Sequence, residues 1–296
     1  METIWVLENV KKHYSFYNRL QILMLIASVS LWRKYHPNHK TIFYCDEISN
    51  EVLSKLDIFH LWDEIRPLSY PEKINREIFW SSPKTKIISE TQIPLLLIDH
   101  DFLIFKNIDE YFKDEVLFSY HEYASNWYPP KTDIFNQQLS TPIKFINEYA
   151  ANVSLFYLPN PEFARKYGKQ TLINHEEFTA MNNPLITTNY MIFSEQFMLK
   201  QWLDEQNIPH RSLSKNLWDC KKVGYMENEI QNGIWNKKES LLYYKHYGVE
   251  EERIFKNQEG YSYEDTISFL YRCIKAGKLI DTNKLKEKLE EVIKNR

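Results

Sequence analysis

The sequence predicts an α/β protein: a mainly parallel, Rossmann-like sheet flanked by helices, with a helical addition at the C-terminus. Three observations carry this. Strand-like and helix-like segments alternate from Thr3 to Leu68, the order expected of right-handed βαβ units. The Pro-bounded apolar run from Pro94 to Phe105, rich in branched side chains, reads as a strand buried on both faces. Residues from Thr282 to Arg296 form a charged segment with Leu285, Leu289 and Ile293 on one helical face.

Taken in order, Thr3 to Leu7 reads as a first strand ending in Glu8-Asn9. Phe16 to Tyr35 reads as a buried helix with Leu20, Leu23, Met24, Ala27 and Leu31 at helical spacing, stopped by Pro37 and Asn38. Thr41 to Cys45 is a second strand, and Ser49 is placed to N-cap a helix with Val52, Leu53 and Leu56 inward. Glu64 to Leu68 suits a short strand, and Trp80 to Glu90 a helix. Val116 to Tyr120 reads as a strand ended by His121-Glu122, and Tyr123 to Thr141 as a long irregular loop of the sort that carries specificity. Ala150 to Tyr157 is a strand, and Asn160-Pro161 opens a helix for which Gly168 suits the C-terminal cap. Ser194 is placed to cap a further helix, with Glu195 at its N-terminus. Ser240 to Tyr244 is a late strand. The expected organisation is a main α/β domain over residues 1–255 and a helical extension over 256–296.

Composition excludes several classes. A net charge of -3 gives no basic field for nucleic acid. Cys45, Cys220 and Cys273 show no paired spacing, so reduced thiols in a cytoplasmic protein are expected rather than disulfides or a zinc site. The start has no signal-peptide pattern, and the apolar run from Ile22 to Trp32 is too short to span a bilayer, leaving peripheral membrane contact as the expected limit. There are six glycines, and the first is Gly168. The preceding residues therefore hold neither a dinucleotide fingerprint nor a P-loop, both of which use glycine to bring backbone N–H groups to phosphate. A diphosphate bound there must be neutralised by a metal and side chains.

Asp99-His100-Asp101 interrupts the Pro94 to Phe105 run. If the strand stays extended, the period of two sends both carboxylates to the same side. Two like charges so held repel unless a cation or a shared proton lies between them, and a hard divalent metal with oxygen ligands is the simplest resolution.

Together with Phe79-Trp80-Ser81-Ser82-Pro83-Lys84 upstream and Phe105-Lys106-Asn107-Ile108 downstream, this stretch resembles the DxD site of metal-dependent, nucleotide-sugar glycosyltransferases with the GT-A fold. The resemblance implies that Asp99 and Asp101 bind Mn²⁺ or Mg²⁺, with Asp101 the direct catalytic ligand and Asp99 bridging metal and ribose. It implies that Glu8, Asn9 and Tyr14 line the base and ribose pocket, and that Lys84 lies near the ribose or diphosphate. Asn152 would meet the donor sugar, although Ser154 stands where the family pattern Asn-x-Gly has glycine. Glu195 and Gln196 would face sugar hydroxyls or the acceptor. Lys245-His246-Tyr247-Gly248 resembles the C-terminal loop in which a histidine completes the metal site, making His246 the third ligand and Lys245 a diphosphate contact.

The expected function is transfer of a sugar from a nucleotide-diphosphate donor, a UDP-sugar by resemblance, to a hydroxyl of a carbohydrate or glycolipid acceptor such as a glycan or surface polysaccharide precursor. An inverting reaction needs a carboxylate base, for which Glu195 and Glu122 are the candidates. The alternatives are an aspartate-nucleophile phosphatase, which also ends an apolar strand in Asp-x-Asp, and a non-catalytic carbohydrate-binding relative. A phosphatase strand of that kind opens its domain, whereas here about a third of the chain precedes it.

Overall fold

The computed structural model describes residues 1–7, 19–123, 128–213, 217–218, 242–244 and 263–294. Two compact units form, and both are assembled from separated stretches. The first comprises Met1–Leu68, Ile98–Asp109 and Gly233–Arg296; the second comprises Ser69–Leu97 and Glu110–Asn232.

In the first unit, β1 (Glu2–Leu7), β2 (Lys40–Cys45) and β3 (Glu64–Pro67) pair in parallel, with Trp5 opposite Phe43 and Phe43 opposite Ile65. Between β1 and β2 runs α1 (Arg19–Tyr35), whose residues from Ile22 to Trp32 are all buried. After β2 comes α2 (Glu47–Leu56). Its cap is Asp46, whose carboxylate accepts from the Ser49 N–H at 2.8 Å, so Ser49 serves as the capped residue rather than the cap. Asp46 wins because its backbone is extended while Ser49 already lies within the first turn.

The helical addition belongs to this unit. The helices Tyr263–Gly277 and Thr282–Lys294 follow α7 of the second unit in chain order and are labelled α8 and α9. Gly277 permits a close approach of α8 to α1: a Cβ there would stand 2.7 Å from Ser30 Cβ and 2.8 Å from its carbonyl oxygen. Helix α9 buries Leu285, Leu289 and Val292, while Ile293 is 37% exposed, which corrects the expected face by one residue. A 3.6-residue turn carries position i+7, not i+8, closest back to the starting direction.

In the second unit, β4 (Leu95–Ile98) lies beside β7 (Tyr149–Leu158), and β7 pairs antiparallel with β6 (Val116–Tyr123). The edge strands β8 (His210–Ser212) and β9 (Leu217–Trp218) pair with β6 in parallel. His121 and Glu122 therefore lie within β6 instead of ending it. The expected irregular loop contains α4 (Ile134–Gln137), capped by Asp133, whose other carboxylate oxygen accepts from the buried Tyr190 hydroxyl at 2.7 Å.

Helix α5 runs Pro161–Ala180 behind an Asn160 cap, with Gly168 in its interior. The expected stop at Gly168 fails for a packing reason. A Cβ at Gly168 would meet the backbone nitrogen of Ser89 at 2.6 Å, so the glycine admits α3 (Ser82–Glu90) against α5 rather than ending the helix. The expected mainly parallel α/β architecture flanked by helices is thus observed, with β6 and β7 pairing antiparallel. The described cysteines, Cys45 and Cys273, are buried free thiols. Among the described residues no helix is long and apolar enough to cross a membrane.

Each unit also buries a neutral histidine. In the first, His36 stacks on Trp32 and its Nε2 accepts the Ile108 N–H at 3.0 Å, and burial lowers its pKa to about 4. In the second, the His175 ring lies 3.0 Å from the Ser82 hydroxyl, and burial lowers its pKa to about 3. Both folded values lie below that of a free imidazole, so the unfolded chain binds more protons between about pH 6.5 and pH 4 and stability falls as pH drops through that window. The expected loss is up to about 1.4 kcal/mol per pH unit for each ring. Urea unfolding followed from neutral pH to about pH 4 measures it, and a flat profile contradicts the neutral-ring assignment.

Candidate functional site

In the first unit the Asp-His-Asp segment is a turn. β4 ends at Ile98, and the Phe102 N–H donates to the Asp99 carbonyl at 3.0 Å before β5 (Phe102–Ile104) begins. The long strand expected from Pro94 to Phe105 is therefore two short strands, and β5 pairs antiparallel with β10 (Leu242–Tyr244). Both β4 and β5 are buried throughout, so continuing the extended chain through residues 99–101 would carry two carboxylates across an apolar layer. The turn places both outside the strands instead. Asp101 is 7% exposed and Asp99 half-buried.

Helix α1 fixes this turn at two points. His100 Nε2 donates to Gln21 Oε1. Two turns further along, the Ser28 hydroxyl donates to the Phe102 carbonyl at 2.8 Å and accepts from Trp5 Nε1 at 3.0 Å. The chemistry of the donor set fits a hard divalent cation: two carboxylates on one short turn are oxygen ligands of the kind Mg²⁺ and Mn²⁺ accept. Among the described residues no group of three or more His, Cys, Asp and Glu is gathered for a metal. The expected third ligand His246, together with Lys245, Gly248, Glu8, Asn9 and Tyr14, lies outside the described residues.

The second unit brings together the other expected residues around two irregularities. The first is in β7. Phe118 pairs with Phe156 and Tyr120 with Asn152, so Ser119 alone on β6 faces Val153, Ser154 and Leu155 on β7. The Ser119 hydroxyl accepts the displaced Leu155 N–H at 2.7 Å, and the Val153 carbonyl lies 3.5 Å from Lys84 Nζ. Such bulges re-aim neighbouring side chains. Here Ser154 donates both its N–H (3.1 Å) and its hydroxyl (2.5 Å) to the side-chain oxygen Oδ1 of Asn152. That fixes the amide so that Asn152 Nδ2 donates to Glu122 Oε1 at 2.7 Å. The Tyr128 hydroxyl donates to Glu122 Oε2 at 2.7 Å and lies 3.3 Å from Gln196 Oε1. Since a tyrosine has one hydroxyl proton, the Gln196 amide satisfies this geometry when turned to donate to the Tyr128 oxygen.

The second irregularity is in the helix. Residues Thr188–Ile192 (α6) and Met198–Glu205 (α7) are joined by a widened π turn, Phe193–Phe197, which carries Glu195 and Gln196. Ser194 does not cap a helix start. Its hydroxyl bonds back to the Tyr190 and Met191 carbonyls, inside a helix that begins six residues earlier at Thr188. The Glu195 carbonyl accepts from the buried Tyr167 hydroxyl at 3.0 Å, and burial beside the Glu195 carboxylate raises the Tyr167 pKa well above its ordinary value. π turns recur where helices carry functional side chains. Glu195 Oε1 is 3.6 Å from Lys84 Nζ, with side-chain exposures of 4% and 12%, so Lys84 is a largely buried partner of Glu195 rather than a surface charge.

The sequence singled out Lys84, Glu122, Asn152, Glu195 and Gln196 as candidates but not the groups that hold the network and backbone around them, Tyr128, Ser119 and Tyr167, nor Gln21 and Ser28, which hold the Asp turn. One signal was present in α1, where Gln21, Ser28 and Ser30 are the polar residues of the run from Leu20 to Trp32, and Gln21 and Ser28 stand seven apart. No comparable signal marks Ser119 or the π turn.

No protein-family model and no curated protein matches the chain. Solved structures similar to it include the glycosyltransferase GlyE of Streptococcus pneumoniae TIGR4, at 12% identity and a TM-score of 0.47, covering 99% of this chain and 64% of that one. The chain thus spans less than two thirds of the length of GlyE. The galactosyltransferase LgtC in complex with donor and acceptor sugar analogues is similar at 11% identity and a TM-score of 0.39, covering 67% of this chain and 71% of that one.

The Glu122 network makes a stability prediction. Asn152→Leu removes a donor from a carboxylate that is 6% exposed, and the expected cost is about 1–3 kcal/mol. Urea unfolding of the variant measures it, and parent-like stability would show that Asn152 does not hold Glu122.

Proposed function

We propose that the chain is a glycosyltransferase of the GT-A type, moving a sugar from a nucleotide-diphosphate donor, a UDP-sugar, to a hydroxyl of a glycan, glycolipid or surface polysaccharide precursor. The observation that carries the reading is the pinned Asp99–Phe102 turn, which presents two carboxylates between buried strands in a region without glycine. The carboxylates cannot themselves attract a diphosphate, so a cation between them and the phosphates resolves both the like-charge repulsion and the lack of a backbone phosphate cradle. Asp99 and Asp101, with His246 as third ligand, would hold Mn²⁺ or Mg²⁺. The ion would supply Lewis-acid stabilisation of the departing nucleoside diphosphate.

The remaining roles fall to fixed polar groups of the second unit. Glu122 accepts and Asn152 and Gln196 donate hydrogen bonds, the pairings that sugar hydroxyls require, and the Ser154 and Tyr128 contacts hold those groups in orientation. Lys84 lies beside Glu195 and offsets its charge, and the glutamate would accept from a donor or acceptor hydroxyl.

Calorimetry with UDP tests this reading. Binding is expected in the presence of Mn²⁺ and expected to weaken strongly without it. Asp101→Asn should abolish the metal-dependent part and transfer together, while the metal-free variant melts no lower than the metal-free parent because one of two repelling charges is gone. Tight binding of UDP without metal, or near-parent turnover in Asp101→Asn, contradicts the reading.

A further inference from the structure

We propose that His100, the middle residue of Asp99-His100-Asp101, is a tether, and that Gln21 and Ser28 of α1 are the positioning residues that set the geometry of the two aspartates. The inference rests on the metal reading above for its purpose, and on the hydrogen bonds for its content. His100 Nε2 donates to Gln21 Oε1, which anchors the imidazole ring, and with it the middle of the turn, to α1. The C-terminal end of the turn is held separately, through the Phe102 carbonyl, by Ser28, which is itself 2% exposed and oriented by Trp5. Gln21 and Ser28 are seven residues apart, two helical turns, and so share one face of α1. A rigid, buried helix thus grips the middle and the end of a four-residue turn whose remaining side chains are the two carboxylates.

The physical consequence is preorganisation. Without a cation, Asp99 and Asp101 repel, and an untethered turn would open to separate them. A cation would then have to bring them back together before binding. The two struts hold the carboxylates in place beforehand, so the reorganisation cost at binding falls. Groups that orient metal ligands without touching the metal carry effects of about ten- to a hundred-fold on affinity.

The test is calorimetric titration of Mn²⁺ in the presence of UDP, with thermal melting and amide hydrogen exchange on the metal-free protein. Gln21→Leu is expected to weaken Mn²⁺ affinity about ten- to a hundred-fold and to speed exchange of the Phe102 amide while the melting temperature stays near the parent's. The exchanged pair, Gln21→His with His100→Gln, rebuilds the bond and is expected to recover most of the affinity, which a merely structural loss would not. Ser28→Ala provides an independent route to the same loosening. Unchanged Mn²⁺ affinity in both Gln21→Leu and Ser28→Ala overturns the inference. A parent that binds no Mn²⁺ overturns the metal reading instead, and the amide exchange then decides the tether by itself: parent-like protection of Phe102 in both variants refutes it.

Discussion

Two carboxylates one residue apart, set between strands that are buried throughout, are the constraint to which the first unit is built. Asp99 and Asp101 cannot lie in an extended run between β4 and β5 without crossing an apolar layer. The chain answers with a hydrogen-bonded turn, and α1 answers the turn. Burial of α1 from Ile22 to Trp32 gives it a fixed seat, and that seat lets Gln21 and Ser28 act as struts. Close packing against α1 continues through Gly277, where even a methyl group would collide with Ser30. Rigidity therefore flows from the apolar packing of one helix to the placement of two charges.

The second unit solves a different problem with irregular backbone. Buried polar groups are tolerable when each has a partner, and regular strands and helices aim their side chains at fixed intervals that seldom converge. The β7 bulge and the π turn break those intervals. The bulge turns Ser154 onto the Asn152 side-chain oxygen, and Ser119 covers the N–H that the bulge frees. The π turn carries Glu195 and Gln196, and Tyr167 covers the Glu195 carbonyl. In both places a side-chain hydroxyl repairs the backbone bond that the irregularity displaces, leaving Glu122, Asn152 and Gln196 in one connected network.

What was legible in the sequence follows from which forces are local. The alternating βαβ order, the buried α1 and the parallel β1, β2 and β3 were readable because apolar periodicity reports burial directly. Asp99 and Asp101 were readable as candidates because carboxylates that interrupt an apolar run stand out, whereas Lys84, Asn152, Glu195 and Gln196 were candidates only through the resemblance to a known family. Gly168 looked like a helix stop and Pro94 to Phe105 like one strand, and in both cases a partner distant in sequence decided otherwise, whereas Ser194 looked like a cap and a helix start six residues earlier decided otherwise. Ser89 approaches Gly168, Thr188 had already begun the helix that holds Ser194, and α1 stabilises a break at Asp99. The orienting groups Tyr128, Ser119 and Tyr167 stayed hidden because their importance lies in which atom they reach, which no local pattern encodes.

The central claim is that the Asp turn serves transfer from a nucleotide-diphosphate sugar. Incubating the full chain with a panel of nucleotide sugars and Mn²⁺, and following release of the nucleoside diphosphate, tests it most directly. The expected result is release from one donor or a narrow group, lost on chelation and lost again in an Asp99→Asn/Asp101→Asn double variant that still folds. Release that survives both chelation and the double variant, or no release from any donor in the panel while inorganic phosphate is freed from phosphomonoesters, would contradict it.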